Sequence, residues 1–102
     1  MKIREVKAEQ LNSMLEKKST VVLDIREDYE YEEDHLESLH IPMAEVRNRL
    51  DELNQHEKIV VCCKSGKRAQ AVAYMLNNEL DSADVSYLKG GLTAYREIYA
   101  QD

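Results

Sequence analysis

The sequence predicts an α/β fold: a five-stranded, mostly parallel sheet flanked by helices on both faces. Three observations carry that expectation. Short β-branched runs alternate with stretches of helical periodicity along the chain, the pattern of β-α units laid on a parallel sheet. The run Ile59–Cys62 (IVVC) is apolar at every position, as burial on both faces of a sheet requires. At 102 residues the chain is expected to form one domain, residues 1–102, around a single core.

The elements follow in order. Ile3–Val6 is expected to form a first strand, and Leu11, Met14 and Leu15 share one face of a first helix at i, i+3, i+4. Thr20–Ile25 (TVVLDI) reads as a buried strand. After it comes an acidic stretch, Glu27 to Asp34, read as a solvated helix face. Leu39–Ile41 is expected to be a short strand that stops at Pro42, the single proline, because proline has no N–H to give to a ladder. Met43, Val46, Leu50 and Leu53 then form a helical stripe, and Ile59–Cys62 is the next central strand. From Lys67 or Arg68 onward, Ala69, Val72, Ala73, Leu76 and Leu80 recur at helical spacing. Val85–Leu88 gives the fifth strand, Gly90-Gly91 a turn, and Leu92–Tyr99 a closing helix with Leu92, Tyr95 and Tyr99 on one side.

Composition limits the functions open to the chain. Apolar residues make up 43% and charged residues 33%, with no window near the roughly 18 consecutive apolar residues of a membrane span, so no membrane partner is expected. A net charge of -6 argues against nucleic acid, which calls for a dominant basic face. The N-terminus, MKIREVKAEQ, has no apolar run of a secretory signal, and the expected location is the cytoplasm. Cys62 and Cys63 are adjacent, a spacing ill suited to a relaxed disulfide, and spaced Cys/His pairs for zinc are missing. No metal or organic cofactor is expected.

Charge distribution is more informative than the sum. Lys64, Lys67 and Arg68 form the densest cationic cluster, inside the loop Cys63-Lys64-Ser65-Gly66-Lys67-Arg68. This loop leads from a buried strand into a helix, where chemistry collects in open α/β sheets. Gly66 permits positive φ, so that successive backbone N–H groups can turn inward, and the helix start adds its dipole. Such a cradle favours a thiolate at Cys63, and its cations attract a small anion.

The segment C-K-S-G-K-R after an apolar strand resembles the active-site loop of rhodanese (thiosulfate sulfurtransferase) domains, especially single-domain ones. Leu23-Asp24-Ile25-Arg26-Glu27 is similar to that family's D-V-R-E segment, and Tyr31-Glu32-Glu33-Asp34-His35-Leu36 to its E-Y-x-x-G-H-I. Ile41-Pro42 resembles its N-I-P, and Leu88-Lys89-Gly90-Gly91-Leu92 its L-x-G-G. The chain departs from the pattern at Glu37, Ser38 and His40, and has Tyr95 where tryptophan is common. The resemblance implies a rhodanese-like fold in which Cys63 is the persulfide-forming nucleophile. It makes Lys64, Ser65, Gly66, Lys67 and Arg68 the substrate-binding cradle, with Asp24, Arg26 and His35 as framework near the loop.

The residues also allow plainer readings. Strand alternation turns Cys62 away from Cys63, so Cys62 is read as core, with a resolving role left open. His35, His40 and His56 share no metal-ligand spacing and are read as surface or hydrogen-bonded histidines. Asp24 and Arg26 are read as an ion pair or loop brace, and Gly90-Gly91 as a turn whose helix-start position is only a weak phosphate signal.

The expected reaction has two steps. Cys63 takes the outer sulfur of a small anionic donor, thiosulfate or a persulfide, and a thiol or cyanide acceptor removes it, with a sulfur-relay protein as a further partner. One rival is a non-catalytic persulfide relay or interaction module. The other is a cysteine-dependent phosphatase or arsenate reductase. Loop size weighs against that rival: Cys63 to Arg68 spans six residues, C-x-x-x-x-R, one fewer than in the cell-cycle phosphatases that resemble rhodaneses. A shorter ring of N–H groups suits one sulfur atom better than a tetrahedral phosphate.

Overall fold

A computed structural model describes residues 3–17 and 19–99. Its five strands are β1 (Glu5–Val6), β2 (Thr20–Asp24), β3 (Leu39–His40), β4 (Lys58–Cys62) and β5 (Asp84–Leu88). They form one sheet in the order β1-β5-β4-β2-β3, with every pairing parallel. The expected "mostly parallel" sheet is therefore wholly parallel among the described residues. Helices α1 (Ala8–Met14), α2 (Asp28–Glu33), α3 (Leu50–Leu53), α4 (Lys67–Glu79) and α5 (Gly91–Ile98) complete the fold.

The unbroken apolar run of β4 is explained by two cores, one on each face of the sheet. Ile59, Val61 and Cys63 enter the core shared with Ala69, Val72, Ala73 and Leu76 of α4. Val60 and Cys62 enter the other, with Leu11 of α1 and Leu92 and Tyr95 of α5. Side chains alternate across a strand, so neighbouring cysteines fall on opposite faces.

Strand ends shift by one or two residues from the expected bounds, β1 beginning at Glu5 rather than Ile3, and two further segments differ more. Helix α1 closes at Met14, leaving Leu15 in the following turn at 36% exposure. The stripe Met43 to Leu53 is a 3-10 segment over Met43–Arg49 that passes into the four-residue α3. Val46 and Leu53 are fully buried, whereas Met43 is 41% exposed, because the tighter coil rotates it out of the apolar stripe.

The strand order reverses between β2 and β4: the chain moves outward from β2 to β3, then outward on the other side from β4 to β5. Parallel register pairs Asp24 with Cys62, and the Ile25 N–H donates to the Cys62 carbonyl at 3.1 Å. The carboxyl ends of β2 and β4 therefore lie side by side, at the switch point where open α/β sheets place ligands.

Candidate functional site

Cys63 follows β4 directly and is fully buried. Its Sγ accepts two backbone hydrogen bonds, from Gly66 N–H at 3.1 Å and Ala69 N–H at 3.3 Å. Gly66 caps the N-terminus of α4 with φ of +100°, a left-handed conformation that other residues adopt at a cost. That turn brings both N–H groups onto one sulfur. The sulfur lies at the positive end of a 13-residue helix, where excess negative charge is stabilised.

The other side of the loop is held by α5. Leu92 N–H donates to the Cys63 carbonyl at 2.8 Å and Thr93 N–H to the Lys64 carbonyl at 3.1 Å. The first turn of a helix has N–H groups with no partner inside the helix, and here the loop supplies the acceptors. In a planar trans peptide the N–H points opposite to the C=O. With those two carbonyls drawn toward α5, the N–H groups of Lys64 and Ser65 face away from it. The glycine pair is thus a packing device, and the α5 N–H groups that a phosphate would use are engaged by Cys63 and Lys64.

Gly91, at φ +63°, fits under the loop so closely that an added Cβ would overlap the carbonyl oxygens of Cys63 and Lys64. Gly91→Ala is therefore expected to push α5 off the loop and to cost more than about 2 kcal/mol, through overpacking and an unfavourable φ together. Urea denaturation measures the loss. A variant within 0.5 kcal/mol, on the order of a neutral surface change, would show that the loop yields freely.

Asp24 and Arg26 form a buried pair at the end of β2. Arg26 Nη2 donates to Asp24 Oδ2 at 2.8 Å and Nε to Oδ1 at 3.0 Å, with exposures of 6% and 2%. The rest of the guanidinium reaches into α2, donating to the carbonyls of Glu30 at 3.3 Å and Asp34 at 2.7 Å. This pair fixes α2 against the sheet.

The fixing of α2 has a result that local sequence does not reveal. Glu30, within the acidic stretch read as a solvated face, meets Arg68 at two points: Nη1 to Oε1 at 3.1 Å and Nη2 to Oε2 at 3.2 Å. The Arg68 hydrogen bonds hold the Glu30 carboxyl below its ordinary range, against the opposing effect of burial. Asp34 is likewise engaged, by Arg96 of α5 at 2.8 and 2.9 Å. The signal available in the sequence was charge complementarity alone, across 38 and 62 residues.

The remaining expected residues are dispersed. Lys64, Ser65 and Lys67 are exposed. Lys64 borders an open cleft of about 500 Å³ with Arg26, Tyr29, Glu30, Leu92 and Arg96, whereas Lys67 faces a different groove beside Tyr74 and Tyr87. His35 stacks on Tyr31, with ring centroids 3.8 Å apart, and its Nδ1 lies 2.7 Å from the Tyr31 carbonyl. His40 stacks on the other face of the same ring at 4.1 Å and places Nε2 2.9 Å from the Arg26 carbonyl. Among the described residues no group of three His, Cys, Asp or Glu side chains could hold a metal ion.

Cys62 contrasts sharply with its neighbour. It is 1% exposed on the opposite core, and burial, with the Asp24 charge adding to it, pushes its thiol up to about 12. It is protonated at neutral pH, with its Sγ 3.6 Å from the Cys63 carbonyl.

A family model for the rhodanese-like domain matches residues 7–98. The chain belongs to the rhodanese-like family. Its relatives include the tRNA uridine(34) hydroxylase of Photorhabdus laumondii, 36% identical over 98 residues, covering 88% of the chain and 27% of the relative. YrkF of Bacillus subtilis, named as a candidate sulfur carrier protein, is 39% identical over 59 residues, covering 57% of the chain and 32% of that protein. The chain thus spans about a third or less of these curated relatives. A solved rhodanese-related protein from Thermoplasma volcanium superposes with a TM-score of 0.83 at 27% identity, over 93% of the chain and 92% of that structure. The rhodanese-like assignment agrees with the sheet order, the loop and the two glycine contacts described above. No helix among the described residues is long and apolar enough to cross a membrane.

Proposed function

We propose that the protein is a rhodanese-type sulfurtransferase that carries sulfane sulfur as a persulfide on Cys63. The observation that supports this most directly is the pair of backbone N–H groups, of Gly66 and Ala69, aimed at one buried sulfur. Fixed donors of this kind stabilise negative charge on that atom and on a sulfur attached to it. The Cys63 thiolate attacks the outer sulfur of the donor. For thiosulfate the S–S bond breaks and its electron pair leaves with sulfite; for a persulfide it leaves with the donor's thiolate. A thiol or cyanide then takes the terminal sulfur and regenerates the Cys63 thiolate. The kinetics are ping-pong, because the first product departs before the acceptor reacts.

The sites proposed for this reaction are Cys63 as nucleophile and the loop Lys64 to Arg68 as its cradle, with Asp24 and Arg26 as the brace that positions α2. Two reduced, adjacent thiols suit a reducing compartment, and the cytoplasm is the proposed location. A second reading has a specific observation behind it: the likeness to YrkF favours a relay in which a partner protein brings and removes the sulfur. Phosphate chemistry is less well served, since Arg68 is engaged by Glu30 and the loop has six residues.

Mass spectrometry after incubation with thiosulfate or a small persulfide is expected to show the mass of one added sulfur atom, mapping to Cys63. Steady turnover with a small thiol or cyanide marks the enzyme, and loading without turnover marks the relay. Cys63-dependent hydrolysis of an aryl phosphate without persulfide formation would overturn both.

A further inference from the structure

We propose that Glu30 is a specificity-determining residue: by pinning the Arg68 guanidinium at the mouth of the loop, it withholds that cation from multiply charged donors. The site thereby takes sulfur from persulfides of low charge in preference to the thiosulfate dianion. This inference rests on the reading of Cys63 as the sulfur carrier.

Arg68 closes the loop, one residue before the Ala69 N–H that bonds the sulfur, and its charge lies within Coulombic reach of Cys63. Left free, it would be the natural partner for a sulfonate arriving at that sulfur, because a guanidinium presents two parallel donors to such oxygens. Those same two donors, Nη1 and Nη2, are on Glu30.

Glu30 is well held for this task. Oε1 also accepts the Glu27 N–H at 3.0 Å, and the backbone carbonyl of Glu30 accepts from Arg26. Its side chain is 15% exposed against 37% for Arg68, so the carboxylate is the fixed partner and the guanidinium the movable one. With the pair intact, the two charges nearly cancel at the loop mouth, leaving Lys64 as the loop cation on the cleft beside it. Coulomb energy scales with the product of charges, so a dianion loses about twice as much from this cancellation as a monoanion.

The chemistry keeps its balance with either donor. Thiosulfate gives up its outer sulfur to the Cys63 thiolate and leaves as sulfite, two negative charges before and after. Cysteine persulfide gives up its outer sulfur and leaves as the cysteine thiolate.

The test uses wild type, Glu30→Gln, Arg68→Ala and the double variant. Protection of Cys63 from iodoacetamide by inorganic sulfate gives an anion affinity that is independent of sulfur transfer. Glu30→Gln is expected to tighten sulfate about tenfold, roughly the effect of freeing one charge at a partly exposed site. The double variant is expected to lose that gain and stay within about twofold of wild type, whereas Arg68→Ala alone bares the Glu30 carboxylate and is expected to weaken sulfate about tenfold. The ratio of kcat/KM for thiosulfate to that for cysteine persulfide should rise about threefold in Glu30→Gln, since a dianion gains twice the energy that a monoanion gains. Unchanged sulfate protection in folded Glu30→Gln overturns the proposal. So does unchanged sulfate protection in Arg68→Ala alone, where the bared Glu30 carboxylate should repel the anion, a result readable even if the Glu30 variant fails to fold. If wild type forms no persulfide, the sulfurtransferase reading falls, while the sulfate measurements still decide whether Glu30 withholds Arg68.

Discussion

Cys63→Ser is expected to abolish sulfur loading, with no added sulfur detected by mass and turnover at background, while Cys62→Ser retains most of both. The two side chains are sequence neighbours with opposite surroundings. Cys63 Sγ accepts two N–H groups at the head of α4. Cys62 lies in the other core with its thiol pushed up to about 12 by burial, and so holds its proton at neutral pH. A hydroxyl at position 63 keeps the hydrogen bonds and removes the proposed nucleophile, because serine's oxygen stays protonated without a base beside it. Cys62→Ser places a hydroxyl in an apolar core, a destabilising change of about 1–3 kcal/mol, so both variants need a folding check by circular dichroism. Equal losses in two folded variants would sink the division of roles.

Asp24→Ala is expected to destabilise the fold by about 3–5 kcal/mol, the usual consequence of leaving a buried charge without its partner. That is a large share of the roughly 5–15 kcal/mol that holds a domain of this kind together. Arg26 is 5% exposed and donates to Asp24 through Nε and Nη2, so little water can replace the carboxylate. The consequence extends to the site. Arg26 also binds the Glu30 and Asp34 carbonyls, so its release loosens α2 and with it the Glu30–Arg68 pair. Urea denaturation reports the stability, and Cys63 alkylation under native conditions reports the loop. Destabilisation below about 1 kcal/mol would mean that the guanidinium finds other partners and that the pair is not a brace.

The residues that sequence reasoning missed share one property. Glu30 was read as part of a solvated acidic face, and its exposed neighbours Glu32 and Glu33 do match that reading. Glu30 and Asp34 instead meet Arg68 and Arg96, which lie 38 and 62 positions along the chain. Helical periodicity says which residues share a face of α2. It does not say that Asp24 and Arg26 will turn that face toward the loop. The Gly90-Gly91 pair, legible as a turn, gave no sign that Gly91 packs under the Cys63 and Lys64 carbonyls.

Alternation and helical spacing alone determined the strand–helix order, the central position of β4 and the opposite facing of Cys62 and Cys63, because each depends on periods of two or 3.6 residues within one segment. The chemical loop was legible for the same reason: its thiol, its left-handed glycine and its helix start lie within a few consecutive residues. Tertiary structure decided which charges cancel, which carbonyls α5 caps and which of the three loop cations is restrained. Those outcomes depend on how α2 and α5 are seated on the sheet, and a seating angle belongs to no single segment of the chain.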